Sequence, residues 1–557
     1  MVEPRHDGIR FRLAIFPAMV LAMAACNNGS SSGTGIRNLG LSAFEMVGKD
    51  ELWALSVFEA NENADLNGDG DTADVVLRVY DHGTGELVDP GLARGLLVLV
   101  GDNLIAFDVP EADQDGTDLN GDGDALDRVL HVYDRRTGVA TNTELASGFF
   151  APAIGLGLVA FAGSEAAQGN VDLDGNGTTN GSVLHVYDSR TLVTTNAGRE
   201  VSSDIRFHHH QFVFKTREFA NGDLNGDGDA TDENVFQLWD SVLGGVITVP
   251  LATLDEPLAT GVEDWYLLAS ERDQDLDLDG DGDKLDGAYQ RIEPHLQTIQ
   301  PLGLSAVHSF GSVSNGSFAA LMVNEVDGID RNGDGDLLDT YAVLYDPVND
   351  RTYDPALAIS LGLCVFLGDR LAVAIDEPSQ REDLNGDGDE LDRIVHLLDP
   401  VLETSTNLGF DAFSLAEAGG QLVVARVDFE SGNDWNGDGD QLDLVQFVWN
   451  PETGELENTG VAAGPDLRGA GDSSFLFEAV ESDDGQDRNG DGDLDDLVYT
   501  LYDLEARRTI GLGLASGPFG YGITQAGAAL FLVSEFSQGR DLNGDGDQLD
   551  AILHVRE

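Results

Sequence analysis

The side chains best suited to chemistry in this chain sit in one arrangement that occurs ten times. In the second copy, Asp118-Leu119-Asn120-Gly121-Asp122-Gly123-Asp124 is followed by Asp127, which puts side-chain oxygens at positions 1, 3, 5, 7 and 10 of a short loop, with Gly at 4 and 6. Oxygens at alternate positions, with a glycine for the sharp turn, are what a hard cation needs if one short segment is to wrap it. The candidate ligands are Asp65, Asn67, Asp69, Asp71 and Asp74; Asp118, Asn120, Asp122, Asp124 and Asp127; Asp172, Asp174 and Asn176; Asp223, Asn225, Asp227, Asp229 and Asp232; Asp277, Asp279, Asp281, Asp283 and Asp286. They continue with Asp330, Asn332, Asp334, Asp336 and Asp339; Asp383, Asn385, Asp387, Asp389 and Asp392; Asp434, Asn436, Asp438, Asp440 and Asp443; Asp487, Asn489, Asp491, Asp493 and Asp496; Asp541, Asn543, Asp545, Asp547 and Asp550. No Cys or His lies among them, which argues against zinc. A shell of six to eight oxygens of irregular geometry suits Ca2+ better than Mg2+. Calcium is therefore the expected cofactor, at nine or ten sites.

A lone copy would be explained by Asx turns in an acidic hairpin tip. Ten copies with the same offsets ask for more, because a solvated turn needs no fixed set of carboxylates. The third copy departs furthest: Thr178 stands at position 7 and Gly181 at position 10, so that loop is expected to bind weakly or not at all. A Glu also recurs just upstream of each loop, at Glu59, Glu111, Glu165, Glu218, Glu271, Glu325, Glu377, Glu430, Glu481 and Glu535. It is either a further ligand or a solvated strand end.

These loops resemble those of EF-hands, dockerins and thrombospondin type 3 repeats, and the calcium loops of FG-GAP propellers such as integrin heads. The resemblance implies calcium. It also has limits: an EF-hand carries Glu at position 12, where this chain has Val76, Val129, Val183, Ile394, Val445, Val498 or Ile552. FG-GAP loops close with Asp at position 9, whereas here it stands at 10.

The elements that must hold these loops repeat with them. Successive loops begin 53, 54, 51, 54, 53, 53, 51, 53 and 54 residues apart, which means a repeat architecture and excludes a string of unrelated domains. Before each loop runs a short apolar segment such as Leu158-Val159-Ala160-Phe161, and after it another such as Val129-Leu130-His131-Val132-Tyr133. With a polar strand and a further short strand between turns, each period holds four antiparallel strands, the pattern of a β-propeller blade. The fold class expected is all-β, a propeller of ten four-stranded repeats of about 53 residues over 36–557, with two five-bladed propellers as the alternative. After the last loop only one strand, Ile552-Leu553-His554-Val555, remains, while Asn38-Leu39-Gly40-Leu41-Ser42-Ala43-Phe44 matches the outer-strand phrase Asn407-Leu408-Gly409-Phe410-Asp411-Ala412-Phe413. The N-terminal strand is expected to complete the C-terminal blade and close the ring.

Residues 1–25 read as an address. Arg5, Arg10 and Arg12 precede an apolar run from Leu13 to Ala25, too short for the roughly 20 residues of a membrane span. The run ends Met23-Ala24-Ala25-Cys26, which resembles a bacterial lipoprotein signal; the resemblance implies lipidation of Cys26, with 26–35 as a Gly/Ser/Asn-rich flexible tether. Cys364 is the one other cysteine, in an apolar segment where an inert thiol is expected.

A net charge of −71 excludes nucleic acid and anionic membrane surfaces as partners, apart from contact through the lipid anchor. Because 41% of residues are hydrophobic, the acidity does not signal disorder. The loops account for much of it: 39 of the 101 acidic residues are Asp at the ligand positions. His208-His209-His210 falls where other repeats have a Gly-containing turn and is read as an exposed turn; the recurring His131, His185, His396 and His554 are read as a polar strand position. No nucleophile elbow, phosphate loop or zinc helix motif is present. The function expected is a calcium-binding, lipid-anchored scaffold at the bacterial outer membrane or cell surface, binding an extracellular or envelope protein or a glycan. The alternative is a secreted propeller hydrolase or lyase acting on polysaccharide or phosphate esters.

Overall fold

The computed structural model describes residues 15–17, 19–20 and 35–556, except 102, 220, 256, 260–263, 294–297, 310, 429–431, 465–466, 468 and 525–526. Cys26 and nearly all of the leader and tether lie outside the described residues.

The chain folds into four-stranded antiparallel sheets that follow one another in sequence. The first nine span 45–89, 98–146, 153–200, 206–252, 258–306, 313–353, 359–411, 414–462 and 469–515. The tenth holds the second half of the strand Arg508–Ile523, then Ala529–Ser534, Ala551–Arg556 and, as its outermost strand, the N-terminal Ile36–Ser42. Arg508–Ile523 runs unbroken from the ninth sheet into the tenth and joins the two. The segments Ile15–Pro17 and Met19–Val20 lie antiparallel to Val139–Ala146 and Glu86–Asp89. This is the blade construction of a β-propeller. No helix among the described residues is long and apolar enough to cross a membrane.

Two compact units are present. Among the described residues, one holds 15–17, 19–20, 47–173 and 179–196, and the other 35–46, 174–178 and 197–556. The first holds nearly all of the first three sheets, and the second the remaining seven.

The apolar runs are continuous because the two middle strands of each sheet are buried on both faces. Ile105, Phe107 and Val109 pack against Leu52, Ala54, Leu77 and Val79 of the sheet before, while Leu104 and Ala106 pack against Val159 and Phe161 of the sheet after. The same face-to-face stacking recurs in the second unit, where Leu422, Val424 and Phe447 meet Val395 and Leu397, and Phe475 and Phe477 meet Val423 and Val448.

The outer strand carries a recurring irregularity. Val129 pairs with Ala146 but His131 with Asn142, and Ile394 pairs with Asp411 but His396 with Asn407, so two extra residues bulge on the outer strand. Such bulges re-aim side chains. Here the bulge turns Asn142, Asn407 and Asn458 toward the loop of their own sheet, where each side-chain amide donates to the carbonyl at loop position 2, Leu119, Leu384 and Trp435, at 2.9, 2.8 and 2.9 Å.

Candidate metal centre

Each loop leaves the second strand of its sheet and returns into the third. In the second sheet the neck is pinned where Glu111 N donates to Asp127 O at 2.9 Å. Asp118 then closes the turn: Oδ1 accepts from Gly121 N at 2.6 Å and Oδ2 from Gly123 N at 3.1 Å. Asn120, Asp122 and Asp124 each accept from the backbone N–H two residues on, at 3.1, 3.0 and 3.0 Å. Gly121 and Gly123 have φ of +80° and +106°, backbone that a side chain would strain, which is why glycine fills positions 4 and 6. The loops beginning at Asp65, Asp223, Asp330, Asp383, Asp434, Asp487 and Asp541 repeat the closure by position 1.

Asx turns alone account for positions 1 to 7. They do not account for the upstream Glu or for Asp at position 10. Glu59, Glu111, Glu165, Glu218, Glu271, Glu325, Glu377, Glu481 and Glu535 are no more than 1% exposed, so the solvated-strand-end reading is incorrect. One carboxylate oxygen accepts the N–H groups of loop positions 2 and 3, as Glu59 Oε1 does from Leu66 at 2.5 Å and Asn67 at 3.0 Å. In the eighth sheet Glu430 lies outside the described residues, and Asp428 takes the equivalent place: it is fully buried, its N–H donates to Asp443 O at 3.0 Å, and Oδ2 accepts from Trp435 N at 3.1 Å. The spacing held the signal, since Glu430 stands only four residues before its loop whereas the others stand five to seven before theirs.

These buried carboxylates converge on the loop. Single ligand atoms of Glu59, Asp71 and Asp74 lie within 4.8 Å of one another, as do those of Glu111, Asp124 and Asp127, of Glu218, Asp227 and Asp229, and of Glu271, Asp279 and Asp286. Positions 3, 5, 7 and 10 are thus brought to the Glu. Asp at position 10 is also held by the position-3 amide, as where Asn332 Nδ2 donates to Asp339 Oδ2 at 2.9 Å.

Such crowding changes the acidity of position 10. Burial, added to by neighbouring carboxylates, pushes Asp74, Asp232 and Asp286 up to about 7 and Asp127, Asp443 and Asp550 up to about 6. Asp339 and Asp496 shift the same way, again mainly through burial. Like charges this close favour either a proton or a cation between them.

Sequence reasoning missed a strap between neighbouring sheets. Gln114 Oε1 accepts from Ala93 N at 2.9 Å while its Nε2 donates to Asn67 O at 3.3 Å, and the side-chain amide of Asn67 donates back to Asp113 O at 2.7 Å. Gln168 with Asn120, Gln274 with Asn225, and Gln538 with Asn489 repeat the exchange. The signal was a Gln three or four residues ahead of the next loop.

The other candidates fall into place as packing. The third loop presents Gly181 at position 10, whose N–H donates to Glu165 Oε2 at 3.0 Å, while ligand atoms of Glu165, Asp172 and Asp174 lie within 4.8 Å of one another. His131, His185, His396 and His554 are at most 6% exposed, and burial pushes His131, His396 and His554 down to about 4, so they are neutral core residues. His209 sits exposed in a turn with φ +53°, and His210 Nε2 lies 3.3 Å from Asp240 Oδ2. Burial pushes the Cys364 thiol up to about 11, which leaves it unreactive at neutral pH. Trp435 packs edge-on against Phe447, with the Arg426 guanidinium 4.4 Å from its ring centre.

No protein-family model and no curated protein matches this sequence. Among solved structures the chain is similar to the tricorn protease, at 12% identity and a TM-score of 0.23, covering 89% of this chain and 47% of that one. It thus spans about half the length of that protein. The β-propeller domain of the Trilobed protease from Pyrococcus furiosus matches at 11% identity and a TM-score of 0.29, covering 65% of this chain and 94% of that one. Dipeptidyl peptidase 4 of Porphyromonas gingivalis matches at 10% identity and a TM-score of 0.38, covering 91% and 65%. The peptidase activities belong to those proteins. What defines the class of this one is its own four-stranded sheets: an all-β propeller carrying an Asp-rich loop at the same end of each repeat.

Proposed function

We propose that the chain is a calcium-stabilised, lipid-anchored β-propeller scaffold of the bacterial cell envelope, working through binding or adhesion. The observation that carries the reading is the convergence of loop carboxylates within 4.8 Å of one another, around a glutamate that is fully buried. Oxygens from positions 3, 5, 7 and 10 would hold the ion, which supplies positive charge to a site that otherwise repels itself.

Geometry of the last sheet supports a particular orientation. Ile36 pairs with Arg556 and Ser42 with Ile552, so the N-terminal strand enters at the end remote from the loop that ends at Asp550. A tether over 26–35 from a lipidated Cys26 would then leave that loop facing away from the anchoring membrane. At position 9, Leu285, Leu338, Leu391, Leu442 and Leu549 are 74–85% exposed beside the loop carboxylates, which supports a contact face for a protein or glycan partner on the loop side.

Metal analysis after exhaustive dialysis tests the calcium reading; fewer than about two bound ions, or a melting temperature indifferent to chelator, overturns it. Detergent phase separation of the expressed chain tests the anchor: the wild type should partition into detergent and Cys26→Ala into water.

A further inference from the structure

Most calcium loops of this length are read as self-contained, with the ligands inside the loop. Here, in four sheets, one carboxylate oxygen of the upstream Glu has no hydrogen-bond partner, whereas in the second, third, sixth, seventh and tenth sheets the same oxygen accepts the N–H of loop position 10. Glu59, Glu218, Glu271 and Glu481 are fully buried, and Oε2 of each has no hydrogen-bond partner, although Oε1 of each is engaged by the N–H of loop position 2. An unpaired carboxylate oxygen in the interior is costly, and more so when two other carboxylates share the space. Yet the same placement recurs in the first, fourth, fifth and ninth sheets, so it is a built feature and not an accident of one loop.

Distances say what would satisfy it. Calcium binds oxygen at about 2.4 Å, so two ligands on opposite sides of one ion stand roughly 4.8 Å apart. The ligand atoms of Glu59, Asp71 and Asp74, and of Glu271, Asp279 and Asp286, lie within 4.8 Å of one another, close enough to share one ion. We infer that Glu59, Glu218, Glu271 and Glu481 are inner ligands of their sites, so that in these four sheets the metal centre is shared between the ten-residue loop and the strand end beneath it. This deepens the calcium reading proposed above and rests on it. One ligand then comes from the sheet itself, and an ion in the loop is tied directly to the blade core.

Calcium titration of the full chain with CaCl2, by calorimetry and by equilibrium dialysis, tests this on E271Q and on the triple variant E218Q/E271Q/E481Q. The glutamine oxygen can still accept the two backbone N–H groups, so the fold has a conservative replacement. The result expected is one site lost or weakened at least tenfold in the single variant and three in the triple. In chelator, melting temperatures should be unchanged or higher, since a buried charge has been removed. Unchanged stoichiometry and affinity with a lower melting temperature in chelator would overturn the inference and leave the Glu a strand-end brace. If the wild type itself takes up no calcium, the proposed function fails and this inference with it.

Discussion

The side-chain amide of Asn38 donates to the backbone carbonyl of Leu542 at 3.0 Å across 504 residues of sequence. Asn407 and Leu384, or Asn458 and Trp435, make the same bond across 23 residues within their own repeats. The bulge is reproduced as well, since Asn38 pairs with His554 and Ser42 with Ile552, and Gly40 N donates to Asn38 Oδ1 at 2.7 Å as Gly409 N does to Asn407 Oδ1. The N-terminal strand is thus the missing outer strand of the last repeat, down to a single hydrogen bond.

Deleting residues 36–42 should leave Ala551–Arg556 with an open edge. An unpaired edge is a template for association, so size-exclusion chromatography should show the truncated chain as oligomers or aggregate, with a melting temperature lower by several degrees. Asn38→Ala alone should cost about 1 kcal/mol in urea denaturation.

Calcium should stabilise the protein in proportion to the number of filled sites. At a free concentration ten times the dissociation constant, each site contributes about 1.4 kcal/mol. Melting curves should begin to shift upward as CaCl2 approaches the dissociation constant, about 0.1 to 1 mM for extracellular calcium modules, and should keep rising with the logarithm of its concentration above it. Adding chelator should reverse the shift.

The position-10 aspartates predict how pH acts on the metal-free protein. Asp74, Asp232 and Asp286 rise to about 7, and Asp127, Asp443 and Asp550 to about 6, from an ordinary value of 3.8. A folded state that holds protons more tightly than the unfolded one is stabilised below the ordinary value, and that stabilisation is lost as pH rises through 6 to 7. In chelator the melting temperature should therefore fall between pH 5 and 8. Calcium affinity should rise over the same interval, with proton release detectable as a dependence of the binding heat on buffer.

Buried histidines act in the opposite sense. His131 and His554 are pushed from 6.5 down to about 4 by burial, so the unfolded chain takes up protons first and stability falls as pH drops from 6.5 toward 4. Each contributes on the order of 3 kcal/mol over that range. With calcium held saturating, acid denaturation of His131→Gln should be shallower than that of the wild type.

The third loop should bind calcium weakly or not at all. Introducing Asp at both Thr178 and Gly181 restores the side chains that the other loops carry at positions 7 and 10. Metal analysis should then count one more bound calcium than in the wild type.

Much of this was legible in the sequence because the repeat forced it. The period placed the strands, the continuous apolar runs reflected burial on both faces, and the phrase Asn38-Leu39-Gly40 identified its partner sheet. What stayed hidden depends on distance in space. Glu271 looks like any charged residue at a strand end, and only packing shows that it is buried with one oxygen bonded and one not. Gln114 is an ordinary polar residue until Ala93 and Asn67 are seen on either side of it. The tie from the ninth sheet to the tenth through Arg508–Ile523 was invisible because four separate strands were expected in each repeat and here one strand serves two sheets.

The strap between sheets also makes the loops listen to one another. Asn225, a ligand candidate of one loop, donates to Asp273 O of the next sheet, and Gln274 beside it reaches back to Asn225 O. Asn489 and Gln538 make the same exchange five sheets on. An ion held by Asn225 would also still the segment leading into the neighbouring loop, so a second ion would meet a site whose ordering had partly been done. If the loops bind calcium as proposed, sites linked to nearest neighbours in this way would fill cooperatively, like a one-dimensional array, and a row of individually weak loops would respond over a narrower range of calcium than any one of them alone.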